Sequence, residues 1–495
     1  MQEGKTGVSR RWMAMLIWLI AAPGVASDRA IDHAAWDADF LALKQALEAD
    51  YAHLAWAASA QSGVDVPALE RAAQWQLAQA VNDDQAEQAL RQFLAGFHDG
   101  HLTLQPRQVA GVGLPAPPAS VDPGALDAAT GCAVIGVVDE GRQDFSVPLQ
   151  TLPGYRPLSV GAEPSVRAGL IPLPDGRTIG LLRLHEFDAL RYPGLCHRLW
   201  PQLRHAGTPD DMRGILQSAW VAEIAASLRR MQQQGAAAVL VDVGTNPGGD
   251  DSGDSLARLF SDRRVQSAPL WVSQSAAGRD YLLEQLERLQ DTQRRRAGNA
   301  RIRRTLQGPL AQFHASLQAI GHDPCDLSWA WQSQRDWQAD RCRRLVPAGS
   351  SGGPLATAEV DALNDFLVAH RLDWAQDIRA HWGAWHGPVY VLVDGKTFSS
   401  AEMFAARMQD NRLARVVGSH SGGDGCGFMT SPAPRVLPHS GLRVRIPNCV
   451  RLRADGSDEV AGIAPDLPLE MQAGENARAR AQRLLGTLGQ DIDRP

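Results

Sequence analysis

Lysine is nearly missing from this chain of 495 residues. It stands only at Lys5, Lys44 and Lys396, and arginine supplies the rest of the 49 basic side chains. Chemistry that needs a lysine as general base therefore has almost no candidates. A basic excess is missing too. The formal net charge is −6, which excludes the electrostatic signature of a general polyanion binder, nucleic acid included. None of the six cysteines (Cys132, Cys196, Cys325, Cys342, Cys426, Cys449) belongs to a Cys-x-x-Cys pair, so thiolate metal binding is not indicated. No metal or organic cofactor is implied. Beyond the N-terminus, no apolar run reaches the ~20 residues that a membrane helix needs.

The N-terminus itself is distinctive. Lys5, Arg10 and Arg11 precede an apolar run over 12–22, followed by Pro23-Gly24-Val25-Ala26-Ser27. Small residues after a short apolar run are the pattern of a cleaved secretory signal, which we assign to residues 1–27. An uncleaved anchor is the other reading, and the run is short for one. The expectation is an exported protein, periplasmic or secreted, with no stable membrane insertion after cleavage. An even cysteine count in such a chain favours disulfides.

Apolar spacing predicts an N-terminal helical domain over 28–105, with Trp36, Phe40, Leu43, Leu47 and Tyr51 on one helix face. Residues 106–177 are rich in Pro and Gly and read as a small β-rich segment; the run Cys132-Ala133-Val134-Ile135-Gly136-Val137-Val138 reads as a strand. From 178 the pattern alternates strand and helix. Strands are expected at 179–184, 237–243, 389–393, 416–418 and 442–446, and a helix at 219–233. This describes a layered α/β core over 178–272 and 378–475. Residues 273–377 read as an arginine-rich helical insertion carrying Trp329, Trp331 and Trp337, and 476–495 as a C-terminal tail.

Two adjacent serines follow the strand 389–393, in Asp394-Gly395-Lys396-Thr397-Phe398-Ser399-Ser400-Ala401-Glu402. A serine at a strand-to-helix turn presents its hydroxyl beside a helix N-terminus, a common site for a nucleophile. It also suits a helix cap. Three more stretches bear on the choice: Asp99-Gly100-His101-Leu102-Thr103, Asp242-Val243-Gly244-Thr245-Asn246-Pro247-Gly248-Gly249, and Glu459-Val460-Ala461-Gly462-Ile463-Ala464-Pro465-Asp466.

These four stretches, in this order, resemble the S41 peptidases, the family of C-terminal processing and tricorn-type serine proteases. The family reads D-x-H-T, D-x-R-x-N-x-G-G, S-A-x-E and E-x-x-G-(I/V)-x-P-D. The resemblance covers roughly residues 34–105, 178–272 and 378–470. It implies a ClpP/crotonase-like α/β core. It places the nucleophile three residues before Glu402, at Ser399. The oxyanion donors it implies are the Ser400 N–H and one from Gly248 or Gly249. One branch of the family takes its base from a lysine in a Gly-rich stretch. Here Gly418-Ser419-His420-Ser421-Gly422-Gly423-Asp424-Gly425 carries Asp424 at that place. The resemblance is therefore to the non-lysine, tricorn-like branch, which implies His101 as base and Glu459 as its distant carboxylate. His98 and His420 are the rival bases. Glu402 is expected to stabilise its own helix N-terminus by charge.

The function so implied is an exported serine endopeptidase acting on peptide or protein substrates through a Ser-His-Glu arrangement and an acyl-enzyme. An S41-like protein that binds an apolar ligand or a protein partner is the alternative. For the cysteines, nearness in sequence suggests Cys426–Cys449 as a staple between neighbouring strands, then Cys325–Cys342, and by elimination Cys132–Cys196.

Overall fold

In a computed structural model of the chain, the structure describes residues 31–107, 126–139, 145–158, 165–322, 325–337, 343–355, 360 and 362–493. The segment read as a signal lies outside these residues.

The core is a seven-stranded mixed sheet. Its order is Leu467–Pro468, Arg415–Gly418, Val389–Val393, Val239–Asp242, Thr178–Arg183, Arg167–Pro172, Arg156–Pro157. The first five strands run parallel and the last two add antiparallel. The central strands are apolar throughout because both faces are covered. Val239, Val241, Val389, Val391 and Val393 face one core, under the helices Pro209–Gln233 and Ser400–Asp410. Leu240, Tyr390 and Leu392 face the other, under the helix Ala477–Asp491. The expected α/β core is thus a sheet between two helical layers, and the strand expected at 389–393 is present residue for residue.

The N-terminal helices His33–Asp50, Val66–Gln79 and Asp83–Ala95 form a second core around Phe40, Leu43, Leu90 and Phe93. Trp329, Trp331 and Trp337 pack into that core and are buried, so they form no exposed surface. The insertion contributes the long helices Ala276–Arg295 and Ala300–Ala319, and also the strand Leu345–Ser350. That strand joins Pro269–Ser273 and Cys449–Arg451 in a separate three-stranded sheet.

Two local expectations are corrected. The apolar run from Cys132 is mostly helix, Ala128–Val134, capped by Asp127 accepting the Thr130 N–H. A short apolar run does not distinguish the two periods, and contact with a second helix decides it. A Cβ at Gly131 would lie 2.0 Å from the Trp200 ring, and Cys132 is bridged to Cys196. The Pro/Gly-rich segment also forms no sheet of its own among the described residues; its strands Arg156–Pro157 and Arg167–Pro172 extend the main sheet.

The disulfides Cys132–Cys196 and Cys426–Cys449 are present, with Cα atoms 6.1 and 5.5 Å apart. The second is the expected pair with a different geometry. Cys426 sits in irregular chain, and the strand Cys449–Arg451 pairs with Pro269–Ser273. Cys325 is disulfide-bonded, while Cys342 lies outside the described residues.

Candidate active site

The turn that carries the two serines is tied to the neighbouring strand end. Thr397 Oγ1 donates to the Val243 carbonyl (2.9 Å) and accepts the Asp394 N–H (3.0 Å), and the Phe398 N–H donates to the Asn246 carbonyl (2.9 Å). Ser399 follows with φ 52° and ψ −115° and caps the helix Ser400–Asp410 through its backbone alone. A non-glycine residue there is strained, by about 1–3 kcal/mol, and this is the geometry of a nucleophile held on a sharp strand-to-helix turn. Ser400 is different. It is buried and its hydroxyl accepts the Gly253 N–H (3.1 Å), so it ties two helices together and has no free face.

Gly248 and Gly249 lie against this turn. A Cβ on Gly248 would sit 2.6 Å from Ser399 Cβ, and one on Gly249 would sit 2.4 Å from the Phe187 carbonyl oxygen. Both have positive φ, 105° and 144°, so close approach and conformation both demand glycine. The Gly248 N–H already donates to Asn246 Oδ1 (2.8 Å). Neither the Gly249 N–H nor the Ser400 N–H is bonded to an acceptor among the described residues.

His101 reaches the site from the N-terminal helices. Asp99 Oδ1 accepts the His101 N–H (2.9 Å), which folds the chain back, and the Tyr51 hydroxyl donates to Asp99 Oδ2 (3.0 Å). The imidazole packs on Gly427, where a Cβ would lie 2.7 Å from its Cδ2, and edge-on to Phe428 at 5.9 Å. Its Nδ1 bonds the Asp424 main-chain carbonyl (2.9 Å) and lies 3.6 Å from Asp424 Oδ2 and 3.8 Å from Asp99 Oδ1. Burial pushes the imidazole below its ordinary value, against the pull of Asp99. With Nδ1 donating, Nε2 is the free basic nitrogen. His98 is exposed, and His420 is exposed with Nδ1 on the Ser421 carbonyl.

Asp424 also holds Ser399. Its Oδ1 accepts the Ser399 N–H at 2.6 Å. No hydrogen bond joins the Ser399 hydroxyl to His101 among the described residues; Asp424 is the residue that touches both. Such bonds are often long before substrate binds.

Glu459 does not meet the imidazole. It is fully buried, and Oε1 takes Arg451 Nε (2.8 Å) and Nη2 (2.6 Å), with Arg407 3.8 Å from Oε2. Arg451 in turn donates to the Gly425 carbonyl (2.9 Å). A buried carboxylate takes the nearest cation, and the strand Cys449–Arg451 brings one.

Glu402 also departs from its expected role. It is buried and binds the Gly-rich loop, accepting the N–H groups of Gly423 (2.7 Å), Asp424 (3.1 Å) and Gly425 (3.3 Å) and the Ser421 hydroxyl. Burial, then the neighbouring Asp424 carboxylate, push Glu402 up to about 8. Burial likewise pushes Asp424 up to about 6. A third clamp comes from His53, which bonds Asp458 (2.6 Å) through Nδ1 and the Cys426 carbonyl (3.0 Å) through Nε2. Sequence reading missed His53 and Arg451, and quoted Asp99 in its motif without giving it a role. Asp424 carried a signal, since it replaces the lysine of the other branch.

An open cleft of about 480 Å³ flanks the serine turn, lined by Leu94, His98, Leu102, Thr103, Phe398 and Gly422. Among the described residues no group of His, Cys, Asp and Glu is arranged to hold a metal ion.

The architecture is that of a protease fold. Mature CPAF is similar in structure, at 15% identity over 93% of this chain and 98% of that chain, with a TM-score of 0.52. Mature CPAF complexed with lactacystin is similar to the same degree, at 15% identity, 94% and 99% coverage and a TM-score of 0.52. At this identity the likeness shows the fold. No curated protein is similar in sequence. Residues 178–469, more than half of the chain, match peptidase family S41. The chain belongs to peptidase family S41.

Proposed function

We propose that this protein is an exported serine endopeptidase that cleaves peptide or protein substrates through an acyl-enzyme. The observation that carries the reading is Ser399: a strained, half-buried serine at a strand-to-helix turn, whose backbone shares a partner, Asp424, with a histidine ring. His101 Nε2 takes the proton of Ser399 Oγ as Oγ attacks the scissile carbonyl. The oxyanion is met by the Ser400 N–H and the Gly249 N–H, Gly248 being committed to Asn246. One such donor is typically worth ~3 kcal/mol. The imidazolium then protonates the leaving amine, and water repeats the cycle on the ester. Glu459 serves through Arg451, holding the Gly425 carbonyl and with it the loop under His101. The cleft beside Phe398, with Leu94 and Leu102 among polar neighbours, offers room for a substrate side chain.

Export is supported by the N-terminal pattern and by disulfide-bonded cysteines, which persist in oxidising compartments. A fluorophosphonate probe should label the protein at Ser399, and Ser399→Ala should lose both labelling and peptide hydrolysis. Labelling retained in Ser399→Ala but lost in Ser400→Ala would assign the wrong serine. Mass spectrometry of protein recovered from the cell exterior should find its N-terminus near residue 27; a retained Met1 counts against export by cleavage.

A further inference from the structure

The Ser-His-carboxylate arrangement as proposed leaves the imidazolium without Glu459 as its counter-charge, because Oε1 of that carboxylate is bonded to Arg451. We propose that Asp424 is the positioning residue of this site: its carbonyl sets the His101 tautomer, its carboxylate supplies the imidazolium's counter-charge, and the same carboxylate fixes the Ser399 backbone. The inference rests on the serine-peptidase reading and names how its base is oriented.

Three contacts from one residue carry it. The Asp424 carbonyl lies 2.9 Å from His101 Nδ1, Oδ2 lies 3.6 Å from the same atom, and Oδ1 lies 2.6 Å from the Ser399 nitrogen. The carboxylate is buried, so its field at the ring is weakly screened. Gly100, beside His101, allows the approach: a Cβ there would sit 3.3 Å from Asp424 Oδ2.

The loop bearing Asp424 is fixed from three sides by buried charged or polar groups. Glu402 takes the N–H groups of Gly423, Asp424 and Gly425, Arg451 caps the Gly425 carbonyl, and His53 caps the Cys426 carbonyl. A loop held this way presents its carbonyl and carboxylate without reorganisation. The lysine position of the other branch thus becomes an orienting position. The charged neighbours of this pair are Asp99 on the segment of His101, Glu402 on the nucleophile helix, Arg451 on its strand and His53 behind the loop. Asp99 is the other carboxylate near the ring, 3.8 Å from Nδ1, and it pulls the imidazole up as well; it stays in place when Asp424 is changed.

The test is the pH dependence of fluorophosphonate labelling in wild type and Asp424→Asn. The amide keeps an acceptor for the Ser399 N–H and leaves the main-chain carbonyl in place, and it removes only the charge. An opposite charge at this range raises a histidine by about one unit or more. Asp424, held near 6, protonates on the same limb as His101, so in Asp424→Asn the acid limb of the labelling rate should move down by at most about one pH unit, and the plateau rate, read where Asp424 is ionised, should fall about tenfold. A merely structural role would lower the rate without moving the limb. Asp424→Asn with the limb and rate of wild type overturns the proposal while wild-type labelling at Ser399 keeps the peptidase reading. No labelling of wild type removes both. A measurement on unmutated protein guards against misfolding of the variant. Histidine-selective ¹⁵N NMR, with His101 assigned by its loss in His101→Gln, should show a neutral ring protonated at Nδ1. A ring protonated at Nε2 overturns the assignment.

Discussion

Raising the pH through 9 should release the clamp that His53 places on the Cys426 carbonyl. Both nitrogens of this imidazole face acceptors, Asp458 at 2.6 Å and the carbonyl at 3.0 Å, and both side chains of the ion pair are fully buried. Burial alone would lower His53, but the Asp458 carboxylate carries it up to about 9. An unfolded histidine titrates near 6.5, so the gap is worth about 3 kcal/mol. The folded value is raised, so this stability is fully present below about pH 6.5 and is lost as pH rises through 9. Glu402 and Asp424, also raised, weaken the fold in the same direction as they ionise. The effect of His53 must therefore be read as a difference between proteins. His53→Gln keeps a polar group at the site, and Asp458 keeps the Val460 N–H (3.1 Å). Urea unfolding with the disulfides intact, followed by tryptophan fluorescence, gives the stability of both proteins at each pH. Wild type should exceed His53→Gln by about 3 kcal/mol at pH 6, and the gap should close toward zero by pH 10. A gap constant between pH 6 and 10 would mean that His53 is buried neutral, and the argument for a charged clamp fails.

Three further outcomes follow from the same contacts. Ser400→Ala should be labelled at Ser399 like wild type yet lose about 1–3 kcal/mol, because it strands the buried Gly253 N–H; loss of labelling at unchanged stability would give its hydroxyl a role in the chemistry. Glu459→Gln leaves buried Arg451 without its counter-charge, which costs about 3–5 kcal/mol, and much of that should return in the double variant Glu459→Gln, Arg451→Met. A Glu459→Gln enzyme of full stability but greatly reduced rate would make this carboxylate catalytic instead. Reducing Cys426–Cys449, whose sequence separation is 23, should cost about 3 kcal/mol and slow labelling before global unfolding, because Cys426 adjoins the loop under His101; labelling unchanged after full reduction of that bond would show that the loop is held by its side-chain clamps alone.

Much of the core was legible because local pattern and burial agree. The run Val389–Val393 is short, β-branched and apolar, and a central parallel strand covered on both faces has no other requirement. The glycines at 248 and 249 were also readable, since each stands at a positive φ that favours glycine; the strained backbone of Ser399 was not, because a serine carries no sequence sign of it. The run from Cys132 was not readable, because its length suits a helix or a strand and only the packing on Trp200 chose.

What lay beyond the sequence was the partnership of charges. Glu459 and His101 are both where the motifs set them, yet which cation or ring a buried carboxylate meets depends on every element packed around it. Arg451 arrives from a strand that belongs to a different sheet. His53 meets Cys426 across a separation of 373 residues. Asp424 touches Ser399 and His101 because a loop and a helix end, distant in the chain, close on each other. Side-chain type and spacing determined the scaffold and marked Ser399 and His101 as the candidate pair. Tertiary packing alone decided which buried charges are paired, because desolvation forces each to take whichever partner the fold brings within reach.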